Sequence, residues 1–144
     1  MTALLVVHFA LGCMSATRSS SNSLSSAVIG HWRQTTLRVA DESKPCPAYF
    51  IVDHGGGISC ASDDTVEFKP DGTFIAKFSG REIQAIGSWH LQGSTLLVSF
   101  AAPPEIAGID RSTTVEVGPG PETITIKSST DDTPIAETYV RDDK

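Results

Sequence analysis

The chain has 144 residues, 40% of them hydrophobic, and a formal net charge of -6 from 11 basic and 17 acidic side chains. That length and apolar content suit one domain with its own core. The acidic balance, with Lys and Arg scattered among acidic residues, argues against a nucleic-acid partner, because a phosphate-binding face needs clustered basic residues.

Leu4 to Leu11 forms an apolar run. It is too short to cross a bilayer as a helix and has the length of a signal-peptide core. It ends in Ala10-Leu11-Gly12-Cys13, which resembles a bacterial lipobox, where a small residue precedes a cysteine that is lipidated and becomes the new N-terminus. The resemblance implies a signal peptide over 1–13, a lipid on Cys13, and export to the bacterial cell envelope, with the protein held to a membrane on its periplasmic or surface side. Plain secretion with cleavage near Ala16 is the alternative. Residues 14–27, rich in Ser, read as a flexible tether. The folded domain is expected over 28–144.

Three cysteines are present. With Cys13 assigned to the lipid or to a removed peptide, Cys46 and Cys60 remain. In an oxidising compartment they would pair, and a loop of this size gives about 3 kcal/mol of stabilisation. Two free thiols are the other reading.

From Ile29 onward the chain is a series of short runs separated by turn residues. "IGHWRQTTLRV" gives a first strand and "AYFIV" a short one. In "TVEFKPDGTFIAKF", Val66 and Phe68 alternate with polar neighbours, Asp71-Gly72 marks a hairpin turn, and Phe74, Ala76 and Phe78 alternate again. "EIQAIGSWHL" puts Ile83, Ala85, Gly87, Trp89 and Leu91 on one face. "TLLVSF" does the same for Leu96, Val98 and Phe100. "RSTTVEV", "ETITIK" and "PIAETYVR" complete about eight or nine strands. No long segment has helical periodicity. Sequential tight hairpins favour an antiparallel up-and-down β-barrel over a Greek key, which needs long return connections.

This ordered set resembles the small bacterial lipocalin-like domains, many of them exported lipoproteins. The residues that carry the likeness are Gly30-His31-Trp32, then Phe68-Lys69-Pro70-Asp71-Gly72-Thr73-Phe74. They continue with Gly87-Ser88-Trp89, Gly93, Leu96-Leu97-Val98 and, at the end, Tyr139-Val140-Arg141. The resemblance implies an all-β lipocalin-like barrel whose first-strand Trp32 closes one end with Arg141 packed on it. The family pattern does not place the insertion carrying Cys46, Cys60 and "HGGG".

His54-Gly55-Gly56-Gly57 resembles the oxyanion-hole motif of lipases and esterases, but the accompanying Gly-x-Ser-x-Gly elbow and βα alternation are absent from the sequence. Asp53, His54, Cys60, Asp63 and Asp64 lack the paired short spacing of a metal site. Asp63-Asp64 and Asp131-Asp132 read as solvated turn residues. No enzyme activity, metal or cofactor is expected. Phe68, Phe74, Phe78, Trp89, Phe100 and Tyr139 are the candidate pocket lining. Their bulk favours a filled core, or a narrow apolar pocket at one mouth, over a roomy interior. The expected function is binding of a small apolar ligand or an envelope partner. The alternative is a protein-interaction module, an inhibitor or immunity-type lipoprotein, using the 46–60 loop.

Overall fold

A computed structural model describes residues 20–52, 55–79, 83–120 and 122–143. A helix, α1 (Ser20–Val28), precedes eleven strands: β1 (Gly30–Val39), β2 (Glu42–Pro45), β3 (Ala48–Ile51), β4 (Gly57–Cys60), β5 (Thr65–Phe68), β6 (Thr73–Phe78), β7 (Ile83–Gln92), β8 (Thr95–Ala102), β9 (Asp110–Val117), β10 (Thr123–Thr130) and β11 (Thr133–Arg141). Strands β5 to β11 pair in chain order, and β1 joins β5 on one side and β11 on the other. The result is a closed antiparallel eight-strand barrel of up-and-down order, with β2 as one extra strand. Closure leaves no long unpaired edge.

Strand β1 serves two neighbours in turn on one side. Gly30 to Arg33 pair with Phe68 to Thr65 of β5, whereas Thr36 to Val39 pair with Pro45 to Glu42 of β2. Between these halves the β1–β11 ladder has a bulge at Gln34/Thr36. The extra residue shifts the alternation, so that Trp32, Gln34, Leu37 and Val39 are all buried. The carbonyl of Thr35, at the bulge, accepts the Cys46 N–H at 2.9 Å. The bulge thus holds the start of the insertion that sequence patterning could not place.

Turn chemistry follows the sequence. At the β5–β6 hairpin the Asp71 carboxylate accepts the Thr73 N–H at 2.8 Å, which holds the Asp71 carboxyl below its ordinary range. Between β10 and β11, Asp131 and Asp132 both take positive φ, 46° and 63°, as a two-residue turn matching the strand twist requires.

The core has two parts. One, at the end where β1 begins, gathers Val28, Trp32, Phe68, Phe74, Trp89, Leu96, Val115 and Ile124. Phe68 packs edge-on to Trp89 and tilted on Phe74, both with ring centroids 5.3 Å apart, and Phe74 meets Phe100 edge-on at 5.9 Å. The other, at the opposite end, joins Leu37, Val39 and Ile135 of the barrel to Phe50 and Cys60 of the insertion.

Residues 20–27, expected as part of a flexible tether, are helical. The sequence SSNSLSSAV has weak helix propensity, and nine residues are too few to hold a helix alone. Tertiary contacts supply what propensity does not: Val28 is fully buried and Leu24 packs against the same cluster. Cys13 and the rest of 1–19 lie outside the described residues.

The two Ile-Gly-x-Trp copies need glycine for different reasons. Gly30 has φ 144°, and a Cβ there would meet the Arg141 guanidinium at 2.2 Å. Gly87 sits at the β7–β8 bulge, where a Cβ would lie 2.1 Å from the Ser99 carbonyl oxygen. Backbone cannot move aside as a flexible side chain can. Gly87→Ala is therefore expected to cost about 1–3 kcal/mol through forced strand displacement. Urea unfolding followed by tryptophan fluorescence measures it; an unchanged midpoint would contradict the close approach.

Candidate functional site

The barrel is closed at one end and hollow towards the other. At the closed end Trp32 is 1% exposed and its Nε1 donates to the Val28 carbonyl at 2.8 Å. The Arg141 guanidinium lies over the Trp32 ring at 4.3 Å. Its nitrogens donate to the carbonyls of Ile29 at 3.0 Å and Ala27 at 3.3 Å, and its Nε is paired with Glu122. Carbonyls at a helix C-terminus lack intrahelical donors, and a cation there also complements the helix dipole. Arg141 thus caps α1 while stacking on the tryptophan that plugs the barrel.

At the open end stands the insertion. Strands β3 and β4 form a separate two-stranded hairpin, tied at its base by the Cys46–Cys60 disulfide with its sulfurs 2.02 Å apart. Phe50 turns towards the barrel and is 7% exposed, with Lys44 of β2 over its ring at 4.3 Å. Tyr49 and Ile51, on the other face of β3, are 60% and 77% exposed.

Asp64 fixes the chain as it leaves the hairpin. It is buried, not a solvated turn residue as the sequence suggested. Its two carboxylate oxygens accept the N–H groups of Ala61 at 2.8 Å and Ser79 at 3.1 Å, and its carbonyl accepts the Gln34 N–H at 2.9 Å. Asp63 beside it is hydrogen-bonded to the Ser79 hydroxyl.

Beneath the hairpin is a cavity of about 850 Å³, within the range of small-molecule sites. The expectation of a filled core is corrected here. The phenylalanines do not spread around the interior: Phe68, Phe74, Phe78 and Phe100 come from β5, β6 and β8 and make one wall with Val66 and Val98. Across from them, β9, β10 and β11 bring Arg111, Thr113, Ser128, Glu137 and Tyr139, with Ile126 and Ile135 among them. The small side chains of Thr113 and Ser128 leave the cross-section unfilled. Ile106 and Ile109 of the β8–β9 loop and the hairpin's Val52 and Ile58 complete the rim.

Five of the six residues expected to line a pocket do so: Phe68, Phe74, Phe78, Phe100 and Tyr139. Trp89 stands behind Phe68, its Nε1 donating to the Lys69 carbonyl at 3.0 Å, and is not on the cavity surface. Gln34, across from Tyr139 on β1, is 2% exposed and its amide nitrogen has no partner among the described residues; it too lies off the cavity surface. Asp53 and His54 lie outside the described residues. Among the described residues no group of three His, Cys, Asp or Glu is placed to hold a metal ion.

Sequence reasoning did not place Glu137, a strongly perturbed carboxyl of the lumen, at the site. Burial is the main cause raising its carboxyl to about 7; Arg111 opposes the shift, Asp64 adds to it, and the neighbouring Tyr139 hydroxyl favours the ionised form. Burial, with Glu137 and Asp64 nearby, holds the Tyr139 phenol well above its ordinary value. The signal was available in the period of β11: Ile135, Glu137 and Tyr139 share one face.

No protein-family model matches the chain, and neither a curated protein nor a solved structure matches it.

A carboxyl whose folded value exceeds its unfolded one binds more protons folded than unfolded between the two. The fold is therefore disfavoured as pH rises from about 4.5 through about 7. Glu137→Gln removes that loss. Its melting temperature should exceed the parent's at pH 8 and approach it at pH 4; a constant difference across pH would contradict the buried carboxyl.

Proposed function

We propose that this chain is a non-enzymatic, lipocalin-like binding protein, exported and held at the bacterial envelope by lipid on Cys13, which takes a small apolar ligand into the barrel. The observation that carries the binding reading is the cavity of about 850 Å³ with a wall of four phenylalanines under a disulfide-tied hairpin. An eight-strand barrel that folded only for its own stability would fill this space, because voids forfeit packing energy. A mouth with an apolar interior behind it is what a sparingly soluble ligand needs. The anchor rests on the lipobox-like Ala10 to Cys13 and on the disulfide, which fits an oxidising compartment.

A second reading is favoured by Tyr49 and Ile51. Two large apolar side chains exposed side by side on a rigid hairpin suit a protein partner. This is the inhibitor or immunity-type module, with the 46–60 loop as its recognition element.

Two outcomes are expected. N-Phenyl-1-naphthylamine, a neutral apolar probe, should gain fluorescence with the parent protein. It should lose at least about tenfold in affinity with Thr113→Phe, which puts a phenyl ring in place of a small lining side chain, and should keep its affinity with Tyr49→Ser/Ile51→Ser. Absence of binding to the parent would overturn the cavity reading, and loss only in the hairpin variant would favour the second one. Mass spectrometry of the membrane fraction should find the mature chain beginning at a lipid-modified Cys13; an unprocessed Met1 would contradict the anchor.

A further inference from the structure

The two walls of the cavity differ in chemistry, and the difference constrains the head group of the ligand. On the phenylalanine side no titratable group among the described residues of β5, β6 and β8 lines the lumen. On the other side Arg111, Glu137 and Tyr139 do, with Asp64 and Asp131 nearer the mouth.

These charges are not equivalent. The two oxygens of Asp64 are already engaged by the N–H groups of Ala61 and Ser79. Arg111 is exposed, and Asp131 sits exposed in the β10–β11 turn, so both keep their own water. Glu137 is the exception. It projects into the lumen from the middle of β11, and among the described residues it forms no ion pair. The flanking strands offer it no charge of their own. Inward neighbours on β1 are Gln34 and Leu37, those on β10 are Ile126 and Ser128, and the hairpin presents Phe50, Cys60, Val52 and Ile58. The groups that act on it are Arg111, Asp64 and the Tyr139 hydroxyl. Arg111 acts on the Glu137 carboxyl but forms no ion pair with it, and a carboxyl enclosed without a directly paired cation costs stability.

We propose that the ligand is a small amphiphilic amine, its hydrocarbon body against the phenylalanine wall and its ammonium group paired with the Glu137 carboxylate. This rests on the cavity-binding reading. An ammonium supplies the ion pair that Glu137 does not have among the described residues, and a remaining N–H donor finds an acceptor in the Ser128 hydroxyl on the same wall. A carboxylate ligand would instead have to enter beside Glu137 and the two aspartates, with only the solvated Arg111 in its favour.

Binding of an ammonium requires Glu137 ionised. Below about pH 7 the carboxyl holds a proton, which the ligand must displace, so amine affinity falls as pH falls.

The test uses decylamine, decanol and decanoate, which share one body and differ in the head, titrated calorimetrically into the parent protein and Glu137→Gln at pH 8.0 and 5.5. Decylamine should bind the parent at least about tenfold more tightly than decanol at pH 8.0 and lose about tenfold or more at pH 5.5. Glu137→Gln should bring decylamine to the level of decanol in the same variant and remove the pH dependence. If decanol binds but decylamine binds no better, or decanoate binds best, the amine assignment is overturned while the cavity reading stands. If none of the three binds the parent, the cavity reading itself fails.

Discussion

Everything else in the molecule depends on the stack of Arg141 on Trp32. The two residues are register partners across β1 and β11, so their contact lies on the seam that closes the barrel. From that position the guanidinium reaches the carbonyls at the end of α1 and pairs with Glu122 before β10. One planar cation therefore joins the first strand, the last strand, the helix and a turn. A lysine could not replace it, because the contact uses a flat face for the ring and several fixed donors at once. With this end sealed by Trp32 and Val28, the interior has a floor, and the space left inside lies towards the hairpin.

That mouth is organised by a second device. The bulge in β1 turns Leu37 and Val39 inward, and its Thr35 carbonyl holds Cys46. The disulfide then fixes both ends of the β3–β4 hairpin, and Asp64 ties its exit to the end of β6. The hairpin has only a small cluster to hold it, formed by Phe50 and Cys60 with Leu37, Val39 and Ile135.

Much of this was legible in the sequence, for physical reasons that can be named. The alternation around Asp71-Gly72 dictated the β5–β6 hairpin, and cysteine parity singled out the pair that bridges. The helix was not legible. Its serines carry little propensity, and its C-terminal donor comes from a residue 112 positions from Ile29. The cavity was not legible either. A count of phenylalanines gives bulk but not position, and only the strand order shows that they crowd on β5, β6 and β8. Glu137 lay between the two: its inward direction follows from alternation with Ile135 and Tyr139, but its isolation depends on what β1, β9 and β10 place around it.

The proposed function requires a hollow barrel, sealed at the Trp32–Arg141 end, that takes its ligand beneath the hairpin. The most direct measurement is methyl-resolved NMR of the Val, Leu and Ile side chains during titration with decanol. Shifts and contacts to the ligand are expected at Val98, Ile126 and Ile135, with Val28 and Leu24 at the sealed end unmoved. Perturbation confined to Ile51 on the outer face of the hairpin, with the lumen methyls silent, would contradict it.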